Sequence, residues 1–146
     1  MVGIIIAVIS GILMSMQGVF NTSISKTTGT WVANTWAQLT ALATSFVVWG
    51  IFERNSFAHL TKVEPKYLLF SGVLGAGITF TVMKGMQRLG PAGAIILIVT
   101  AQIISAYLIE LFGWFGAEKA SFDIKKIIGA AIVIVGIIVF RMEKGQ

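Results

Sequence analysis

Two amide side chains stand four residues apart near the start of the chain, Gln17 and Asn21, and the same spacing recurs at Asn34 and Gln38. A further glutamine, Gln102, and a carboxylate, Glu110, lie in a later apolar run. Amides at i, i+4 share one face of a helix, and each can donate and accept hydrogen bonds. The chemistry open to them is recognition of a polar ligand, or hydrogen bonding between helices. Trp36 falls between Asn34 and Gln38 and can add an aromatic wall to a cavity. Glu110 can bind a cation or carry a coupling proton. It can equally reach headgroup water at a helix end, or pair with a basic residue such as Lys84.

Other chemistries are excluded by the inventory. The chain has no cysteine and a single histidine, His59, placed in a link between apolar runs. That leaves no cluster at metal-ligand spacing and no serine-histidine-aspartate set. Neither a GxxxxGK[ST] phosphate loop nor a TVGYG filter string occurs. The chain therefore reads as a non-enzyme with no catalytic residue, no resident metal and no cofactor.

The 146 residues are 56% hydrophobic and 12% charged, with a mean hydropathy of +0.89. Soluble domains carry about 25% charged residues, so a soluble enzyme, a disordered chain and a disulfide scaffold are all excluded. The net charge is +5. Its basic residues lie at the ends of apolar runs and form no stripe, so nucleic acid is not an expected partner. The expected partner is the lipid bilayer.

Five apolar runs are legible, and they predict helices over about 2–21, 31–53, 66–88, 91–115 and 122–142. A spanning helix needs about 20 residues, so the fifth must include Lys125 and Lys126, snorkelling toward the headgroups. A barrel would require alternating strands, and stretches such as IIGAAIVIVGIIVF do not alternate. The first run has no basic leader and exceeds the usual length of a signal peptide core, so it reads as a retained helix. The expected fold class is all-α: a polytopic membrane protein of five helices in one membrane domain, 1–146.

Short links join the runs. TSISKTTGT contains the breaker Gly29, and Pro65 suits the first turn of helix three. Gly90-Pro91 is a stop-start signal, and Ser121 is the expected N-cap of helix five. None of these links has room for an extramembrane domain.

With five spans, the side of the N-terminus holds Arg54, Lys62, Lys66, Lys119, Lys125 and Lys126. The other side holds Lys26, Lys84, Arg88, Arg141 and Lys144. Orientation follows a Lys/Arg excess in short loops, and six against five is nearly none. Either weaker cues fix one orientation, or copies insert both ways. Two inverted copies would make a ten-helix body with inverted repeats, an architecture that supports alternating access.

Small residues recur at Gly3, Ala7, Gly11 and Ser15, at Gly72, Gly75, Ala76 and Gly77, and at Gly129 and Gly136. Such stripes let helices approach closely in lipid, within one chain or between chains. Gly129 and Gly136, on the last and shortest helix, are the candidate dimer interface.

The stretch MQGVFNTSISKTTGTWVANTWAQL, with Gln17, Gly18 and Asn21, resembles the opening of the YdcZ-type inner-membrane exporter family. GAGITFTVMKGMQRLGPAGAIILIVTAQIISAYLIELFGWFG, with Gln102, Glu110 and Gly113, resembles its middle, and KASFDIKKIIGAAIVIVGIIVF its last helix. The likeness covers nearly the whole chain in order. It implies a five-helix branch of the drug/metabolite transporter superfamily, multi-pass in the bacterial inner membrane. Relatives there occur singly, as oppositely oriented pairs, or fused into ten helices. The Gly129/Gly136 spacing also resembles the dimerising last helix of the small multidrug resistance branch. That branch uses a glutamate in helix one, where this chain has none, so proton-coupled drug export does not carry over.

The resulting expectation is a secondary transporter moving a small metabolite or cation, acting as an antiparallel dual-topology homodimer. Gln17, Asn21, Asn34, Trp36, Gln38 and Gln102 are the candidate substrate-binding residues, with Glu110 supplying charge. A dimeric channel or passive pore, or a non-transporting helper subunit, are the competing readings.

Overall fold

A computed structural model describes residues 1–119, 121 and 123–142. Phe122 and Lys144 lie outside the described residues, as do the side chains of Lys126 and Arg141. Among the described residues four α-helices occur in order: α1 Val2–Thr28, α2 Thr30–Phe52, α3 Ser71–Phe112 and α4 Ile124–Met142. Short 3-10 turns occupy Phe57–Lys62, Lys66–Phe70 and Trp114–Gly116, and no strand occurs among the described residues.

Length and composition make α1, α2 and the stretch Lys66–Phe112 long and apolar enough to cross a membrane. At 1.5 Å per residue, α1 with 27 residues is about 40 Å long and α2 with 23 is about 34 Å. Both exceed the roughly 30 Å hydrocarbon core of a bilayer. The apolar stretch Lys66–Phe112 runs for 47 residues, about 70 Å if straight and more than two core thicknesses. It does not run straight: Gly90 adopts φ 75 and ψ 163, a conformation outside the helical region, and Pro91 is next. The left-handed φ suits glycine alone, and proline restarts a helix that needs no donor there. The stop-start signal thus yields two helical halves, 71–89 and 91–112, each close to one bilayer core in length.

Inside lipid every polar group must find a protein partner. The hydroxyls along the helices do so locally. Ser15 donates to the carbonyl of Gly11, Thr40 to Trp36, Thr44 to Thr40, Thr79 to Gly75, Thr81 to Gly77 and Thr100 to Ile96. This i−4 back-bonding hides a hydroxyl against its own backbone, so threonine is tolerated in a spanning helix.

The chain packs as two units, Met1–Pro91 and the remainder from Ala92. In the first, α1 and α2 form a hairpin whose link is one residue, Gly29, with φ 91. The sequence suggested that helix one ends near residue 21. It continues to Thr28 because Asn21, Thr22 and Ser25 are buried on one face, and their polarity serves packing rather than a loop. The buried centre of the unit is small: Gly18, Asn21, Thr22 and Ser25 of α1, Ala33 and Asn34 of α2, Met83 and Met86 of α3. Around it Ile4, Ile5, Leu13, Phe20, Leu42, Val47 and Ile51 are exposed. An apolar surface on that scale is incompatible with water and normal for lipid.

Close packing depends on Gly18. A Cβ there would lie 2.5 Å from Met86 Cε and 3.3 Å from Val82 Cγ1. Between membrane helices there is no hydrophobic driving force, so such close approach and interhelical hydrogen bonds carry the association.

In the second unit Gly113, with φ 67, ends α3 at Phe112. The cap of α4 is Asp123, not the expected Ser121. Asp123 Oδ1 accepts from the Lys125 backbone N–H at 2.9 Å. The position is fixed from α3: the Asp123 N–H donates to the Tyr107 hydroxyl at 3.2 Å, which sets where the helix begins.

Candidate functional site

Gln17 and Asn21, one turn apart on α1, line two separate spaces. Toward α3 lies a cavity of about 50 Å³, walled by Met14, Gly18, Thr79 and Val82 among others. Toward α2 lies an open groove of about 440 Å³, walled by Ala37, Thr40, Ala41, Thr44 and Ser45. Size separates their uses. The cavity can hold a few waters, whereas the groove falls in the range of small-molecule sites, about 300–1,000 Å³. The groove residues of α2 keep the 3–4 spacing of a single helix face. No ionisable side chain lines either space, so their recognition chemistry is neutral amide and hydroxyl.

The second amide pair does different work. Asn34, 2% exposed, donates from Nδ2 to the Ala76 carbonyl at 3.0 Å. Gln38 donates from Nε2 to Thr79 Oγ1 at 3.4 Å. Both therefore bind α2 to α3. Of the two roles open to amides at i, i+4, Asn34 and Gln38 serve as interhelical bonds, while Gln17 is exposed to open space and Asn21 reaches the groove from the buried face of α1. Asn34 also carries a buried Oδ1 with no hydrogen-bond partner. The Ala76 carbonyl can only accept, so the amide nitrogen must face it and the oxygen is left over.

A second bridge, not anticipated from the sequence, joins α1 to α3. Gln87 Nε2 donates to Ser25 Oγ at 2.8 Å, Ser25 Oγ to the Thr22 carbonyl at 2.7 Å, and Thr22 Oγ1 to Met86 Sδ at 3.6 Å. The available signal was spacing: Gly18, Asn21, Thr22 and Ser25 continue one helical face through what reads as a polar link.

Trp36 stands elsewhere. It lines a separate open depression of about 350 Å³ on α2 with Trp31, Val32, Thr35 and Leu39. The neighbouring Trp31 stacks on Phe80 of α3 at 4.6 Å, and the Lys84 ammonium lies 6.0 Å from the same Phe80 ring. Gln102 and Glu110 belong to the second unit, and both are exposed there. A Cβ added at Gly129 or Gly136 meets nothing within 4 Å, so space beside both glycines is open. Among the described residues no group of three His, Cys, Asp or Glu could hold a metal ion.

Helices of lipid-spanning length with an amide-lined groove are a transporter-like arrangement, and the family comparison decides its class. The family model described as "Putative inner membrane exporter, YdcZ" matches residues 2–139. The chain belongs to the YdcZ family of inner membrane exporters. The match spans Gln17 through Gly136, so every candidate residue named above lies inside it. No curated protein and no solved structure was found to match. This YdcZ-family chain is thus a membrane protein with transmembrane helices, in a family of transporters.

Proposed function

We propose that the chain is one half of a secondary transporter that moves a small metabolite or cation across the bacterial inner membrane. The observation that carries this reading is the placement of Gln17 and Asn21 on a ligand-sized groove between apolar helices. Polar side chains at membrane depth are costly and mark substrate paths when they face a cavity. The neutral lining suits a ligand with hydrogen-bonding groups. In the second unit, Gln102 and Glu110 are the candidate polar groups, an amide and the one carboxylate of the apolar runs.

The functional body is an antiparallel homodimer of oppositely inserted copies. The division of basic residues, six against five, supports it, because neither side has the excess that fixes orientation. An odd number of spans makes inversion meaningful: two five-helix copies become a ten-helix inverted repeat. The open faces at Gly129 and Gly136 offer close helix contact between copies.

The experiment is a ligand screen by thermal shift on purified protein, covering small organic cations and amide-bearing metabolites, since ligands of the folded state raise apparent stability. A hit is then assayed for counterflow in liposomes. Wild type transports it, while Gln17→Leu/Asn21→Leu does not. Undiminished transport by the folded double variant overturns the groove as the substrate path. Uncoupled flux far above about 10³ per second would instead mark a channel.

A further inference from the structure

The link between α2 and α3 does not leave the helix ends for water. Five residues beyond Phe52, the last residue of α2, the Phe57 ring packs back on the side of that helix. Its centroid lies 4.8 Å from Trp49 and 5.8 Å from Phe46. Phe46 is six residues inside the helix end, about 9 Å along the axis. The chain has therefore reversed and descended by several ångströms beside a lipid-spanning helix. With α2 only about 4 Å longer than the hydrocarbon core, that descent brings Phe57 into the zone of acyl chains and headgroups.

The reversal is built from named contacts. Arg54 adopts a left-handed φ of 51, and its N–H donates to the Trp49 carbonyl at 2.9 Å. Its guanidinium Nε donates to the Gly50 carbonyl at 2.6 Å. The Trp49 indole N–H donates to the Asn55 carbonyl at 3.0 Å, tying the turn to the helix it has just left.

The segment beyond the turn is suited to an interface. Two 3-10 turns, Phe57–Lys62 and Lys66–Phe70, satisfy backbone groups internally. Lys66 Nζ closes the gap between them, donating to the carbonyls of Thr61 and Val63 and pairing with Glu64 at 2.9 Å. Irregular backbone at membrane depth needs such internal bonds. Phe57, Leu60, Tyr67, Leu68 and Phe70 are exposed on the segment, interleaved with charges of both signs: Arg54, Lys62 and Lys66 against Glu53 and Glu64.

We propose that residues 53–70 form a re-entrant interfacial segment that docks on the phospholipid headgroup layer beside α2. Its apolar side chains enter the acyl boundary, and Lys62 is the basic side chain that meets lipid phosphate. One observation makes lipid the occupant: the segment continues the exposed apolar surface of α2 through Phe46, Trp49 and Phe57. Interfacial segments of this kind lie about 5–10 Å into the headgroup and acyl boundary. The proposal rests on membrane insertion alone and is independent of the transport reading.

The chain has no cysteine, so one introduced thiol gives one label. Leu60→Cys and, as a water-facing reference, Glu118→Cys are labelled with an environment-sensitive fluorophore. Each is reconstituted in phosphatidylcholine vesicles with iodide equilibrated on both sides. At residue 60, iodide quenching should be about threefold or more weaker than at 118, and lipid spin-labelled near the headgroup should quench strongly. Equal iodide quenching at both positions, with no quenching from spin-labelled lipid, overturns the proposal. Phe57→Ala, removing the packing on Phe46 and Trp49, should raise iodide access at residue 60. Should that variant not fold, the comparison of 60 with 118 in the otherwise unaltered chain still decides the matter.

Discussion

Asn34 and Ala76 hold α2 against α3 through one hydrogen bond, from Nδ2 to the backbone carbonyl at 3.0 Å, while Asn34 Oδ1 stays buried without a partner. The two halves of one amide thus have opposite energetic signs. Interhelical hydrogen bonds in membranes contribute about 0.6 kcal/mol on average, and an unsatisfied buried acceptor costs about 1–3 kcal/mol. Asn34→Ala removes both and should shift stability by less than about 1 kcal/mol. Asn34→Asp removes the donor and sets a carboxylate against the Ala76 carbonyl, which should cost about 3 kcal/mol or more. Thermal unfolding in detergent compares the two. A less stable Ala than Asp variant would contradict the assignment.

Gly18 packs under Met86, whose Sδ accepts from Thr22. In Gly18→Ala the new methyl displaces the end of the Met86 side chain and disturbs that contact. Overpacking of this kind costs about 1–3 kcal/mol. Gly18→Leu should prevent α1 and α3 from closing at all. Unfolding midpoints should fall in the order glycine, alanine, leucine, and Met86→Ala should partly rescue the alanine variant.

Gln17 is the exposed amide of the groove, so substitution there acts on ligand rather than on helix packing, whereas Asn21 is buried and serves both. Loss of one neutral hydrogen bond is worth about 1 kcal/mol, or roughly fivefold in affinity. Gln17→Leu should weaken ligand binding by about that factor, with little change in unfolding temperature in the absence of ligand. Gln38→Leu, which breaks a bond to Thr79, should show the converse, lower stability with smaller effect on affinity.

Of the roles open to Glu110, carrying a coupling proton gives a separable outcome. Glu110→Gln should abolish uptake driven by a proton gradient in liposomes while ligand-for-ligand counterflow persists. Normal gradient-driven uptake by this variant removes Glu110 from coupling.

The helical architecture was legible because lipid imposes long apolar runs, and Gly90-Pro91 marked its break in plain letters. The end of α1 was not. Thr22 and Ser25 look like loop residues in a one-dimensional string, and only the Gln87 and Met86 side chains of α3 reveal them as a buried face. The amide pairs were visible from their i, i+4 spacing, but spacing alone does not say which pair bonds a neighbouring helix. Trp36 carries a lesson in angle: two residues from both Asn34 and Gln38, it lies about 200° around the helix from each, and so faces outward. Thr79, which receives Gln38, was hidden because threonine in an apolar helix reads like valine. Asp123 displaced Ser121 as the α4 cap because Tyr107, remote in sequence, fixes where the chain enters that helix.

An antiparallel pair of oppositely inserted copies, acting as one transporter, has a plain signature in membrane topology. Thr27→Cys, beside Gly29, and Glu118→Cys, in the link before α4, lie on opposite sides of the membrane in any single five-span orientation. A membrane-impermeant thiol reagent applied to intact spheroplasts reads each in turn, since the chain has no other cysteine. Dual insertion predicts that both positions label in a comparable fraction of copies, near half. Complete labelling at one position with complete protection at the other would establish a single orientation and contradict the antiparallel dimer.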